Sequence, residues 1–410
     1  MHTLRHSWLV LVALLLAVGC KAQQPKPEVP QPLRVGAEVM LSKEYAIFPP
    51  LAVALVANQT SLVGGTHLVD TLLNEGVHVT KIFCPEHGFR GTEAAGAKVD
   101  NSVDPKTGLP IISLYGKNKK PTPAQLKDVD VVIFDLQDVG CRFYTYLSTL
   151  HYVMEACAEN DKPLLVLDRP NPNGHYIDGP VLDTAKYRSF VGMHPVPIVY
   201  GMTIGEYACM VNGEHWLSGG IECKLSVVPM QNYRRDSVYD LPVPPSPNLR
   251  NAHAIALYPS LCLFEGTSAS VGRGTDWPFE VVGTPHPIRV EWNATYTLAA
   301  GQKVPLYSFT PKGGKPCYGF DLRGIKVPPR FDLSYLMMMY NVVANRKLFF
   351  LGNNFFDKLA GTGDLRRQLQ QQVPEEEIRA SWQPQLDHFK TIRSRYLLYP
   401  DIESVQVDEK

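Results

Sequence analysis

The stretch VDVVIFDLQDVGCRFYTYLSTLHYVMEACAENDKPLLVLD (129–168) decides the fold. It opens on a strand-length segment with the unbroken apolar run Val131–Phe134, which is followed by Asp135, Gln137 and Asp138. An amphipathic stretch, TYLSTLHYVMEACAEND (145–161), follows, and PLLVLD (163–168) is a second apolar run. Strands that are apolar on both faces and joined by helices belong in a parallel sheet covered from both sides. Working outward, the same alternation begins at LAVALVAN (51–58). It continues through a helical THLVDTLLNEG (66–76), the strands VHVTKIFC (77–84) and PIISLYG (110–116), and a short helix opening on proline at 121–128.

A chain of 410 residues is too long for one comfortable core, so two domains are expected. Residues 35–190 are read as a Rossmann-like open parallel sheet, and 191–410 as a smaller α/β (α+β) C-terminal domain. The second region carries a helical stretch at 202–217, strand-like ECKLSVVPM (222–230) and a proline-rich turn, LPVPPSPNLR (241–250). YPSLCLF (258–264) reads as a strand, and the end of the chain reads as helices at 333–350, 364–372 and 374–399.

Residues 1–20 are not part of this fold. Positive charge precedes an eleven-residue apolar run (8–18), too short for a hydrocarbon core of about 30 Å and suited to a signal peptide. The ending A-V-G-C resembles a lipoprotein cleavage site, so Cys20 is read as the lipidated first residue in preference to plain secretion. Residues 21–34 carry four prolines and suit an extended tether. An exported lipoprotein, periplasmic or at the outer membrane of a Gram-negative cell, is the expected location. Seven further cysteines form no C-x-x-C, and several lie in apolar runs as small buried side chains.

The composition also excludes. Lys+Arg and Asp+Glu balance at 40 each, which gives no electrostatic reason to expect nucleic acid. The first strand is followed by NQTSLVGGTH, with no G-x-G-x-x-G, and no G-x-x-x-x-G-K-[ST] occurs, so no nucleotide is expected. There is no S-x-x-K, no complete G-x-S-x-G and no H-E-x-x-H. No metal or other cofactor is expected, and carboxylates are the best-supplied catalytic groups.

Ligands of open parallel sheets bind beyond the carboxyl ends of the strands. Those ends carry Asn58-Gln59-Thr60, then Glu86, His87 and Arg90, then Tyr115, then Asp135, Gln137 and Asp138 with Arg142 and Tyr144. Asp168–Gly174 follows, rich in residues that also cap helices and form turns. In the second region, 258–285 supplies Glu265, Arg273, Asp276, Trp277 and Glu280 around glycines at 266, 272 and 274. Aromatic faces beside carboxylates and guanidinium groups suit a sugar.

Taken in order, NQT (58–60), PEHGFRG (85–91), FDLQDVGCRFYTY (134–146), LDRPNPNG (167–174) and FEGTSASVGRGTDWPFE (264–280) resemble the NamZ-type exo-β-N-acetylmuramidases. The resemblance runs from about residue 35 onward. It implies a Rossmann-like domain joined to a smaller α/β domain, with the active site in the cleft between them. It also implies release of N-acetylmuramic acid from the non-reducing end of peptidoglycan fragments. Muropeptides or MurNAc-GlcNAc saccharides would be the partners, with the membrane reached through Cys20. Glu86 corresponds to the family's leading catalytic candidate. The resemblance places His87, Arg90, Asp135, Gln137, Asp138 and Arg142 near the cleft, with Glu265, Arg273, Asp276 and Glu280 facing them.

The expected chemistry is glycoside hydrolysis, with Glu86 as general acid and His87 or Arg90 orienting it. The second group is left open among Asp135, Asp138, Glu265, Glu280 and the substrate's own acetamido oxygen. Arg273 or Arg142 is the expected fork for the lactyl carboxylate of muramic acid. Two other readings use the same cleft: a non-catalytic, membrane-tethered binder of cell-wall sugars, and a cell-wall amidase or esterase.

Overall fold

The computed structural model describes residues 31–42, 51–89, 101–236, 239–290, 295–298 and 301–401. The leader segment with Cys20, nearly all of the tether, and Arg90 lie outside the described residues.

The first strand, β1 (Val53–Ala57), is followed by a small hairpin of β2 (Leu62–Val63) and β3 (Thr66–His67). Next come β4 (Val79–Cys84), β5 (Ser102–Val103), β6 (Pro110–Ser113), β7 (Val131–Asp135), β8 (Leu164–Leu167) and β9 (Leu225–Val228). Apart from the hairpin, these strands form one seven-stranded sheet in the order β5-β6-β4-β1-β7-β8-β9, and only the β5–β6 pair is antiparallel. The strand expected at 222–230 is therefore an edge of this sheet. The chain first builds outward from β1 through β4 to β6, then crosses to β7 and builds the other way. Such a reversal opens a crevice at the carboxyl ends of the central strands.

Burial follows the pleat. Val53, Leu55, Ala57, Ile82 and Ile133 face helices α1 (Gly36–Met40) and α2 (Leu68–Asn74). Ala54, Val56, Phe83, Val132 and Phe134 face the opposite way, towards α4 (Tyr146–Glu159) and α6 (Ile204–Gly213). Between these come two short helices, α3 (Pro123–Leu126) and α5 (Thr184–Tyr187). The strands and helices expected between residues 51 and 168 are all present, with their ends moved by a few residues.

The rest of the chain combines helices with a four-stranded antiparallel sheet, β10 (Val281–Thr284), β11 (Thr295–Thr297), β12 (Lys303–Phe309) and β13 (Cys317–Asp321), in the order β10-β13-β12-β11. The helices are α7 (Ala252–Leu261), α8 (Ser334–Val342), α9 (Phe355–Ala360), α10 (Asp364–Gln370) and α11 (Glu375–Arg393). The α/β class holds.

One reading is corrected. Residues 258–264 are not a strand but the end of α7 and the start of a 3₁₀ turn at Cys262–Gly266. A short apolar run carries no period that tells a strand from a buried helix. The deciding signal is Asn251, whose side-chain oxygen accepts from the Ala254 N–H at 2.8 Å and starts the helix earlier. The helix expected at 333–350 also stops early, at Val342.

The core on the α4 side does not end at the sheet. It runs from Val56 and Phe134 through Tyr146 and Tyr258 to Phe264, Phe279 and Phe320 without a break. All seven described cysteines are free thiols, and all but Cys209 are buried.

Candidate active site

A cavity of about 780 Å³ opens where the carboxyl ends of β4 and β6 meet the start of α4 and the α7–β10 segment. Glu86, His87, Tyr115 and Lys119 come from the strand-end loops, and Tyr144 and Thr145 from the approach to α4. Ser246, Asn248 and Leu249 come from the proline-rich turn, and Glu265, Arg273 and Phe279 from the opposite wall. The size suits a sugar and part of its neighbour.

Glu86 leaves β4 on a turn whose next two residues, His87 and Gly88, both have φ of 73°. A left-handed His is uncommon and costs free energy that the surroundings must offset. The turn aims the Glu86 carboxylate at the start of α4, where the Thr145 hydroxyl donates to Oε2 at 2.8 Å. Thr145 stands at the N-cap of α4, yet makes no side-chain cap. Its hydroxyl serves Glu86 instead. The Tyr115 phenol also donates to Glu86, and burial, with that carboxylate's charge behind it, pushes the phenol up to about 12. Tyr115 therefore remains a donor at any physiological pH.

Across the cavity, Glu265 accepts from Nε of Arg273 at 2.9 Å and from its NH2 group. The Arg273 guanidinium lies 5.1 Å from the centre of the Phe279 ring. Two carboxyl side chains thus line the cavity, one held by hydroxyls and one by a guanidinium. Among the described residues, no group of three or more His, Cys, Asp and Glu side chains is placed to hold a metal ion.

Several candidates named from the strand ends are buttresses beneath the cavity instead. Asp135 is fully buried and receives Arg169 through Nε at 2.6 Å and NH2 at 2.8 Å. Asp138 accepts from the Tyr200 hydroxyl and, at 2.6 Å, from the Gly140 N–H, and burial pushes it up to about 6. Gln137 donates to the Pro170 and Asp138 carbonyls at 2.6 and 2.8 Å.

Arg142 is a clear correction as the lactyl fork. Its buried guanidinium donates to the carbonyls of Pro180, Val196, Leu359 and Ala360 at 2.7–2.9 Å and fastens α9 to the segment between β7 and α4. Arg273, the other expected fork, is already engaged by Glu265.

Asn58 donates to the Tyr146 hydroxyl at 2.7 Å and accepts from Thr60 in a local turn. Gln59 donates to the carbonyls of Pro244 and Pro245 at 3.1 and 3.2 Å, and the Tyr144 hydroxyl donates to Pro245 at 2.8 Å. These side chains pin the proline-rich turn that roofs the cavity. Asp276 and Trp277 border a separate, more open recess of about 550 Å³ that shares Gly274 with the main cavity, and Arg323 lies 4.7 Å from the Trp277 ring. Glu280 is buried and accepts from the Asn251 side chain at 3.1 Å, away from the cavity.

Thr145, Lys119, Phe190, Asn248 and Tyr258 line the cavity without having been named. In sequence, Phe190 and Tyr258 look like ordinary core residues, and Lys119 lies in the short basic cluster KNKK (117–120). The signal available for Thr145 was its place directly before the helix that follows β7.

A parallel sheet whose strand ends present a carboxylate to an aromatic-walled cleft, with a second carboxylate opposite, has the groups that a carbohydrate-cleaving α/β enzyme needs. Two family models make the assignment particular: Exo-beta-N-acetylmuramidase NamZ, N-terminal, matches residues 53–253, and Exo-beta-N-acetylmuramidase NamZ, C-terminal, matches 256–399. The chain belongs to the NamZ exo-β-N-acetylmuramidase family. It is 41% identical over 341 residues to the peptidoglycan beta-N-acetylmuramidase NamZ of Bacillus subtilis, covering 80% of this chain and 81% of that protein. A crystal structure of a DUF1343 family protein from Bacteroides fragilis is 43% identical and superposes with a TM-score of 0.78, covering 91% of this chain and all of that one. A second DUF1343 protein from the same organism is 30% identical, with a TM-score of 0.74 and coverage of 90% and 99%.

Proposed function

We propose that this protein is a glycoside hydrolase that releases N-acetylmuramic acid from the non-reducing end of peptidoglycan fragments. One observation carries the reading: in a chain of this family, Glu86 is held by the Thr145 and Tyr115 hydroxyls on the wall of a sugar-sized cavity whose other wall carries Glu265. Glu86 is the general acid that protonates the departing glycosidic oxygen. Of the candidates for the second role, Asp135, Asp138 and Glu280 are engaged away from the cavity. Glu265 is left, alongside the substrate's own acetamido oxygen, to assist at the anomeric carbon. Tyr144 and Tyr258 add aromatic surface to the cavity wall.

The enzyme works as an exported lipoprotein anchored through Cys20, a reading that rests on the leader sequence.

The test uses a chromogenic β-N-acetylmuraminide and the matching N-acetylglucosaminide. Wild type releases chromophore from the first only, and Glu86→Gln loses turnover while still binding the sugar. Equal turnover in Glu86→Gln removes Glu86 from the chemistry. Cleavage of neither glycoside, with muropeptide binding unchanged by the substitution, replaces the enzyme by a binding protein. A product freed at the lactyl amide or at an acyl group makes it an amidase or esterase.

A further inference from the structure

We infer that Lys119 is the residue that distinguishes muramic acid from glucosamine, by pairing with the lactyl carboxylate. The inference rests on the muramidase reading above and deepens it. Muramic acid differs from glucosamine by a lactyl ether, a short branch ending in a methyl group and a carboxylate. A site that selects it needs a cation not already neutralised, next to an apolar surface.

The described cations of the cleft divide on this point. Arg273 is held by Glu265, and Arg142 is spent on four carbonyls outside the cavity. The neighbouring Lys120 pairs with Glu155 and Glu159 at 2.7 and 2.6 Å. Lys119 has no carboxylate partner among the described residues, and its ammonium lies 4.6 Å from the centre of the Phe190 ring.

The position fits the reacting end of the site. Tyr115, which donates to Glu86, has its ring centre 6.0 Å from that of Phe190. The wall therefore runs continuously from the catalytic carboxyl through two aromatic rings to the ammonium. A sugar whose anomeric oxygen faces Glu86 would lay its lactyl methyl on Phe190 and its carboxylate against Lys119. An ammonium near an aromatic face is less hydrated than one in open water, which strengthens its pairing with an incoming anion. Lys119 and Phe190 also border an adjoining cavity of about 480 Å³ that contains Arg188.

Binding and turnover are measured separately, so that this inference and the muramidase reading fail differently. Calorimetric titration compares free N-acetylmuramic acid with its neutral lactyl methyl amide, on wild type and on Lys119→Met, Lys119→Arg and Lys119→Glu. Wild type should favour the acid by roughly ten- to a hundredfold, the range of one charge-assisted hydrogen bond. Lys119→Met should bring that ratio near unity, Lys119→Arg should retain part of it, and Lys119→Glu should favour the cationic aminoethyl amide. An unchanged ratio in Lys119→Met, or a ratio lost in Arg188→Gln but kept in Lys119→Met, overturns the assignment. Absent hydrolysis of the chromogenic muraminide by wild type, with the Lys119-dependent preference intact, overturns the muramidase reading alone.

Discussion

Thr145 has to choose between two uses of one hydroxyl. At the N-cap of a helix, such a side chain ordinarily accepts from a free backbone N–H. Here it donates to Glu86 at 2.8 Å and leaves the cap unmade. The helix forgoes a small stabilisation so that a carboxyl is held in one orientation. Thr145→Val keeps the shape and removes the donor. Steady-state kinetics on the chromogenic muraminide should show kcat falling by roughly tenfold, with a smaller change in KM, because the hydrogen bond acts on the proton donor and not on the sugar. A KM effect larger than the kcat effect would move Thr145 into substrate binding.

At the scale of elements, α4 and α6 meet through a buried polar seam. His151 Nδ1 lies 2.9 Å from His194 Nε2, and His194 Nδ1 lies 2.9 Å from the Tyr207 hydroxyl. Burial pushes His151 down to about 4 and His194 well below its ordinary range. The unfolded chain therefore binds more protons than the folded one between about pH 4 and 6.5. The seam's contribution to stability is complete above about 6.5 and is lost as pH falls towards 4. His194→Gln removes part of this linkage. The gap in Tm between wild type and variant should narrow from pH 7 to pH 4 in thermal melts, and a constant gap would contradict the assignment.

Elements also explain how far the sequence could be read. Strands β1, β7 and β8 were legible because each is an uninterrupted apolar run closed by polar residues, and β4 because Ile82-Phe83-Cys84 ends it in the same way. The 258–264 segment was not, because burial on all sides removes the period that would show a helix. At the site, Glu86 and Glu265 stood out as carboxylates next to glycine-bearing turns. Asp135, Asp138 and Gln137 stood out equally and proved to be internal braces. A strand-end carboxylate serving Arg169 or Tyr200 has the same sequence signature as one serving a substrate. Tyr115 was noted only as a strand end, and Phe190 and Tyr258 were hidden for the opposite reason, since an aromatic wall reads as core.

For the whole molecule, the last described residues return to the first sheet. Tyr399 donates to Asp168 at 2.5 Å and accepts from the Met230 N–H at 2.8 Å. Arg393 donates to the Gly201 carbonyl at 2.8–3.0 Å, and Glu206 accepts from the Leu398 N–H at 2.8 Å. With a core that also crosses between the two sheets, neither part is expected to melt alone. Calorimetry should record one transition, and Tyr399→Phe should lower its midpoint by the equivalent of about 1–3 kcal/mol, leaving Asp168 with one donor fewer and the Met230 N–H without its acceptor. Two separated transitions, with Tyr399→Phe moving only one, would mean that the strap does not join them.

The start of the turn at 244–249 is fastened through carbonyl oxygens, at Pro244 and Pro245, by Gln59, Tyr144 and Tyr146. An anchor that grips the main chain is indifferent to a side chain that makes no contact of its own with the frame. Ser246, Asn248 and Leu249 face the cavity from this roof. Leu249 is packed into the core and the Ser246 hydroxyl accepts from the Asn248 N–H, so Asn248 is the exchangeable panel in a fixed frame: varying it would change what lies above the sugar while Glu86 and its two donors stay where they are.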